Sequence, residues 1–272
     1  MGVTRLTISD EDALRRCLGA DPIQNVFPLG FLDPSTLQRG LWWGWMDRGE
    51  VRAVVMLVAG RLVVPWSPEP GHAAEIGLEL RDRSPPCLTV GPRSACDAFW
   101  GTFAKGETPE RFYAQRLYAN RTPPTPVDVP GFRPARPDEW RTLARYASLM
   151  ELEDLGRDPA VLDPEAHESV VRDRIRNERT WVIERRGELV FTINIGLSTA
   201  DGCQVGGTYV PPEHRGQGLA QQGMRALVAT LRTRFPAITL HVNEQNVAAV
   251  LTYERTGFVR AAPFRLITVR GR

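Results

Sequence analysis

The sequence predicts an α/β protein of the α+β kind, built as two domains. Three observations predict it: a proline-rich break near the middle of the chain, strand and helix signals that mix on both sides of that break, and a glycine-containing connection from a strand to a helix in the second half. A chain of 272 residues exceeds one small domain, and about two domains of ordinary size fit its length. The break reads ANRTPPTPVDVPG from Ala119 to Gly131, with Pro123, Pro124, Pro126 and Pro130. Proline spaced this closely excludes a helix and favours an extended connector, which places one domain at 1–128 and the other at 129–272.

The first domain opens on a strand over Val3 to Ile8 and a helix beginning near Ser9, where Ser9 and Asp12 have capping-box spacing. Apolar runs at 41–46, 51–58 and 61–66, separated by Asp47-Arg48-Gly49-Glu50 and Ala59-Gly60, read as an antiparallel meander. A strand at 87–90 and a helix at 95–103 follow. Trp42, Trp43 and Trp45 lie on a predicted strand and are read as core fillers in preference to an exposed stacking platform.

In the second domain a helix is expected from Asp138 to about Met150, and another from Asp163-Pro164, an N-cap with proline in the first turn. Strands are expected at 180–184, 188–195 and 204–210. Met224, Leu227, Val228 and Leu231 repeat at i, i+3, i+4 and i+7, which predicts one buried helical stripe. A strand at 238–242 leads to a helix whose Val247, Val250 and Leu251 are expected on its buried face, and 264–269 closes the domain.

Composition removes several function classes. The formal charge is +2, with 42% hydrophobic and 24% charged residues, as expected of a globular protein that binds neither nucleic acid nor membrane. Lys105 is the only lysine beside abundant arginine, a bias from which no function is drawn. Cys17, Cys87, Cys96 and Cys203 have no C-x-x-C spacing, and the four histidines form no pair at ligand spacing, so no metal is expected. Asp10, Glu11 and Asp12 stand where a signal peptide needs an apolar core, and the expected location is cytoplasmic.

The connection at Arg215-Gly216-Gln217-Gly218-Leu219-Ala220 carries the chemistry. A strand ends at Val210, Pro211-Pro212 stops it, and two glycines let bare main chain approach a ligand before a helix begins. Amide N–H groups backed by the positive end of a helix suit an anion such as a pyrophosphate. The run from Val210 to Ala220 resembles the central motif of the GNAT acyltransferase superfamily. Two further stretches, Leu240 to Asn246 and Tyr253 to Phe258, are similar to that family's fifth strand and following helix. There is no G-x-G-x-x-G, so a dinucleotide fingerprint is excluded.

This resemblance implies a GNAT fold, a mixed and mostly antiparallel sheet flanked by helices, with acetyl-CoA as co-substrate. It implies cofactor contacts at Tyr209, Val210, Arg215, Gly216, Gln217, Gly218, Leu219, Ala220, Asn243, Asn246, Ala249 and Tyr253. Asn246, Ala249 and Tyr253 fall at i, i+3 and i+7 on one helix face. The resemblance assigns Asn246 to the pantetheine arm and Tyr253 to the departing thiolate. Many relatives carry a glutamate on the fourth strand; Cys203 to Tyr209 contains no carboxylate. Glu151 and Asp154, three residues apart on a predicted helix, are the substitute candidates for base or amine binding, whereas Glu153 is expected to point elsewhere. The activity implied is N-acetyl transfer to a primary amine of a small molecule or peptide, by a monomer or homodimer. A non-catalytic CoA-binding module is the alternative.

The whole chain also resembles a group of bacterial GNAT proteins with an uncharacterised amino-terminal domain. Asp21-Pro22 with Asn25, the Trp-rich hairpin and Phe99-Trp100 carry that likeness. Residues 1–128 are thus a candidate degenerate copy of the same fold, with Gly91-Pro92-Arg93-Ser94 where its pyrophosphate loop is expected and no acetyl-CoA bound.

Overall fold

The computed structural model of the chain describes residues 1–32, 41–58, 62–122, 127–156 and 163–269. Most of the proline run of the connector, 123–126, and the Ala59-Gly60 turn lie outside them. In chain order the first half runs β1 (Gly2–Leu6), α1 (Glu11–Gly19), α2 (Val26–Leu29), β2 (Leu41–Asp47), β3 (Glu50–Val58), β4 (Leu62–Trp66), α3 (Pro70–Leu80), β5 (Leu88–Pro92), α4 (Arg93–Phe103) and β6 (Arg111–Asn120). The second half runs β7 (Phe132–Pro134), α5 (Trp140–Leu155), α6 (Pro164–Arg176), β8 (Thr180–Arg185), β9 (Glu188–Ser198), β10 (Cys203–Tyr209), α7 (Leu219–Leu231), β11 (Ile238–Asn243), α8 (Val247–Arg255) and β12 (Val259–Thr268). Among the described residues the two halves have the same order of elements. The fold is mixed α/β with a mostly antiparallel sheet flanked by helices.

Packing divides the chain into two compact units. The first holds Met1–Leu117, His241–Gln245 and Arg260–Arg272; the second holds Tyr118–Leu240 and Asn246–Val259. This division differs from a single cut at the connector, because almost all of the last strand belongs to the first unit. There β12 pairs antiparallel with β5, Phe264 opposite Pro92 and Ile267 opposite Thr89.

In the first unit β1 to β4 form the expected antiparallel meander, and β5 joins β4 in parallel. The strand period of two splits β3 between two cores. Val54 and Met56 join Leu14, Leu18 and Trp42, while Ala53, Val55 and Leu57 join Ile76, Leu80, Phe99 and Phe103. Trp42 is buried and Trp45 nearly so, with Trp45 Nε1 donating to Glu75 at 2.7 Å; the aromatic strand fills a core, as expected. The capping box forms at Thr7 and Asp10, not at Ser9 and Asp12: Thr7 N donates to Asp10 Oδ2 at 2.8 Å. The carboxyl at Asp10 reaches back because the strand ends at Leu6, two residues earlier than expected.

The second unit orders its strands β11 (its first half, to Leu240), β10, β9, β8, β7, all antiparallel except β10 with β11. Helices α5 and α6 cover one face through Leu143, Tyr146, Val171 and Ile175 against Val182, Leu189 and Tyr209. Met224, Leu227, Val228 and Leu231 of α7 are buried as the periodicity requires. Gly223 lets α7 sit close to β9, since a Cβ there would lie 2.3 Å from the Phe191 ring. Asp163 caps α6 as expected, accepting from the amides of Glu165 and Ala166. The stripe on α8 is corrected: Val247 is 62% and Leu251 43% exposed, and Val250 is only partly buried, while Tyr253 is the buried residue. The inward face of α8 is the one through Asn246, Ala249 and Tyr253, so its apolar residues read as core were on the outer side.

Candidate active site

The candidate site is assembled from three places in the second unit: the end of β10 with its following loop, the face of α8 from its cap Asn246 to Tyr253, and the C-terminal turn of α5. Strand β10 pairs with β11 only at Cys203 with Ile238 and Gln204 with Thr239, yet it continues to Tyr209. On its other side, β9 opposes Gly206 with Asn194 and Tyr209 with Thr192, three steps against two. This bulge turns the chain at Gly207, whose φ is +65°. A Cβ on Gly207 would come 2.4 Å from Asn194 Nδ2, so the turn needs glycine for both backbone and space.

Beyond Tyr209, Val210 to Gly218 form the loop. Gly216 has φ +76° and Gly218 φ +73°, and Gly218 is the residue from which α7 starts. A Cβ on Gly216 would meet nothing within 4 Å, and one on Gly218 would meet only Gln222 Nε2 at 3.7 Å. Backbone conformation, not crowding, therefore calls for glycine at both, and the outer face of the loop is bare. Residues 215–218 are exposed, Leu219 is buried, and Ala220 lies half-buried in the first turn. The first N–H groups of a helix have no intrahelical acceptor; here they lie beside that bare main chain, an arrangement suited to a phosphate-bearing ligand.

The Arg215 side chain is already engaged. Its Nε donates to the Val210 carbonyl at 3.0 Å, and Nη2 reaches both Glu153 oxygens at 2.9 and 2.8 Å. Its guanidinium lies 5.7 Å from the centre of the Tyr209 ring. Tyr209 itself is buried against Tyr146, centroids 5.4 Å apart. Glu153 was expected to point away from the site. It is instead the carboxylate bound to the loop, because Gly156 ends α5 in the left-handed conformation and leaves the last turn facing the loop. Sequence spacing alone gave no signal for this.

On α8, Asn246 caps the helix, its Oδ1 accepting from Ala249 N at 3.1 Å, and its Nδ2 donates to Asp154 Oδ1 at 3.3 Å. Tyr253 is 8% exposed. Burial raises its phenol pKa, the nearby Thr208 hydroxyl opposes the rise, and Asp154 adds to it. Desolvation likewise raises the Asp154 carboxyl, Glu153 raises it further, and Asn246 and Arg215 pull it down. Asp154, Asn246, Thr208 and Tyr253 are thus brought together. Glu151 lies elsewhere on α5, within electrostatic reach of Arg174. Asn243 belongs to the first unit, where its Oδ1 accepts from Gln115 Nε2 at 2.9 Å.

In the first unit the shared order of elements moves the counterpart of this loop. The connection from the fourth strand to the third helix is Ser67-Pro68-Glu69, between β4 and α3. The expectation of a counterpart at Gly91 to Ser94 is corrected: β5 there runs directly into α4, and this junction matches that of β11 with α8.

Residues 146–258 match the family profile described as Acetyltransferase (GNAT) family. Among curated proteins no match is found. Solved structures match over nearly the full chain. A Drosophila protein of known structure is 16% identical with a TM-score of 0.70, covering 99% of each chain. A GCN5-related N-acetyltransferase from Sphaerobacter thermophilus is 18% identical with a TM-score of 0.64, over 97% of this chain and 94% of that one. A tandem GNAT protein from the clavulanic acid biosynthesis pathway is 16% identical with a TM-score of 0.59, over 99% and 98%. At these identities the structures speak for the fold, and the fold they share extends through both halves. Residues 146–258 are thus similar to the acetyltransferase (GNAT) family, whose members are acyltransferases, and the whole chain shares its fold with structures of that family.

Proposed function

We propose that the second unit transfers an acetyl group from acetyl-CoA to a primary amine of a small molecule or peptide by direct attack. The observation that carries this reading is the loop at 210–218, where two glycines with positive φ leave bare main chain beside the start of α7. The pyrophosphate takes the amides of Gly216 to Ala220. Asn246 and Ala249, on the inward face of α8, accommodate the pantetheine arm, which brings the thioester towards Tyr253.

The amine nitrogen attacks the thioester carbon, a C–N bond forms, and the C–S bond breaks. An alkylamine with a pKa of about 10 is mostly protonated at neutral pH, so a base must accept a proton. Asp154 is the carboxylate that fits: it stands beside the Asn246 end of α8, and its raised pKa makes it a stronger base than an ordinary aspartate. Glu151, within electrostatic reach of Arg174, is the weaker of the two candidates. A backbone N–H at the bulged end of β10, near Tyr209 or Val210, stabilises the developing oxyanion. The Tyr253 hydroxyl, a phenol protonated at neutral pH as its ordinary pKa of about 10 requires and held so more firmly by burial, gives its proton to the leaving thiolate.

We assign no acetyl-CoA to the first unit. Pro68 and Pro70 lack N–H groups, and Glu69 brings a negative charge to the start of α3. The test is calorimetric titration of the full chain with CoA, followed by thiol release with a panel of amines. One CoA per chain and amine-dependent thiol release are expected. CoA binding without turnover across the panel favours a non-catalytic CoA-binding module.

A further inference from the structure

The last turn of α5 is fastened to both elements assigned above to acetyl-CoA. Glu153 holds Arg215 with both carboxylate oxygens, at 2.9 and 2.8 Å, and the next residue, Asp154, accepts from Asn246 at 3.3 Å. Two acids in the last turn of a helix face the negative end of its dipole and disfavour the helix locally. Their partners outside the helix offset that cost. The turn therefore acts as a bridge, from α5 to the loop and from α5 to α8.

We propose that this turn is an anionic clasp on the cofactor cradle, in which Glu153 sets acetyl-CoA affinity by competing with the pyrophosphate for Arg215. The proposal rests on the reading of 210–218 as the pyrophosphate loop. A carboxylate and a phosphate present similar paired oxygens to the guanidinium fork, so one replaces the other on Arg215 without a new geometry. While Glu153 is bound, an arriving pyrophosphate meets a neutral pair in place of a free cation. Both side chains are nearly half exposed, 47% for Arg215 and 45% for Glu153. An exposed pair of this kind is worth a factor of roughly two to five in an equilibrium, small enough for a diphosphate to displace and large enough to measure. Because the pair stands in solvent, salt weakens its effect.

The experiment is calorimetric titration of the full chain and of Glu153→Gln and Glu153→Ala with CoA, at low and at high ionic strength. Pantetheine, which lacks the pyrophosphate, serves as the control ligand. At low salt both variants are expected to bind CoA roughly two- to fivefold more tightly than the parent chain, with the gain shrinking at high salt and pantetheine unaffected. Both variants change an exposed side chain, and thermal unfolding checks that they fold. CoA affinity equal to or weaker than the parent's in both variants overturns the clasp, as does an equal gain for pantetheine. A parent chain that binds no CoA overturns the cradle reading itself, and the clasp with it.

Discussion

Between β4 and α3 the chain uses three residues, Ser67 to Glu69; between β10 and α7, at the same point in the same order of elements, it uses nine, Val210 to Gly218. The short connection closes on itself, Ser67 Oγ donating to the Glu69 carbonyl at 2.5 Å, and prolines flank its glutamate. The long one is braced from outside by Glu153 and carries its glycines on a bare face. One arrangement of strands and helices thus supports a closed junction in one half and an open, glycine-bearing loop in the other, the loop proposed above as the pyrophosphate cradle. On that reading function is set by the connection, and the scaffold is compatible with either.

The largest effect that bears on this contrast is expected at Tyr253. Tyr253→Phe should lower kcat by about 10²-fold, the scale of losing a general acid, with CoA affinity within a few-fold of the parent chain. Unchanged turnover removes Tyr253 from the mechanism. Next is Gly218→Glu, which puts a side chain at φ +73° and a carboxylate at the start of α7. CoA binding should weaken by about 10- to 100-fold, through backbone strain of about 1–3 kcal/mol and charge repulsion; retained affinity would show that the two connections do not differ in the way described.

Asp154→Asn should remove the acidic limb of the pH–rate profile. With Asp154 present, the rate rises as pH passes its raised pKa, because only the ionised form accepts a proton. The sign for stability is opposite. A carboxyl that holds its proton more tightly when folded costs stability as pH rises through the window between its unfolded and folded values. The asparagine variant is therefore expected to unfold at a higher temperature near neutrality and at the parent temperature in acid. The smallest effect on ligand binding belongs to the first unit. Gly91→Ala brings a Cβ to 2.5 Å from the Pro65 carbonyl, which should cost about 1–3 kcal/mol of stability and leave CoA affinity unchanged. A loss of CoA affinity in this variant at a temperature where it remains folded would place the first unit in cofactor binding.

The elements legible in the sequence were those whose signals are local. The β2–β4 meander, the Asp163 cap and the α7 stripe each follow from period, turn or cap chemistry within a few residues. Helix α3 and strand β6 were not anticipated. Pro70-Gly71 at the start of α3 reads as a turn, and β6 alternates poorly because its second half is buried on both sides, Leu117 to Asn120 included. On α8 the period was right and the face was wrong, since a small alanine and a polar asparagine line the inward side. At the site, the glycines are readable from their backbone roles, whereas Asn246 is singled out only by the family resemblance, which says nothing of the cap it forms. The partnership of Glu153 with Arg215 spans 62 residues and depends on where α5 ends, which no local pattern encodes.

The placement of β12 beside β5 bears on how this protein can be divided. A gene fragment beginning at the proline-rich stretch would encode every residue of the second unit from 129 onward, but it would also carry away the strand that completes the first. The complementary fragment would leave β5 with an open edge, a row of unpaired backbone groups prone to pairing with other chains. Each piece would be incomplete in a different way, one with a strand separated from its partner and the other with a template for aggregation. The two halves are therefore expected to be expressed, purified and inherited as one molecule.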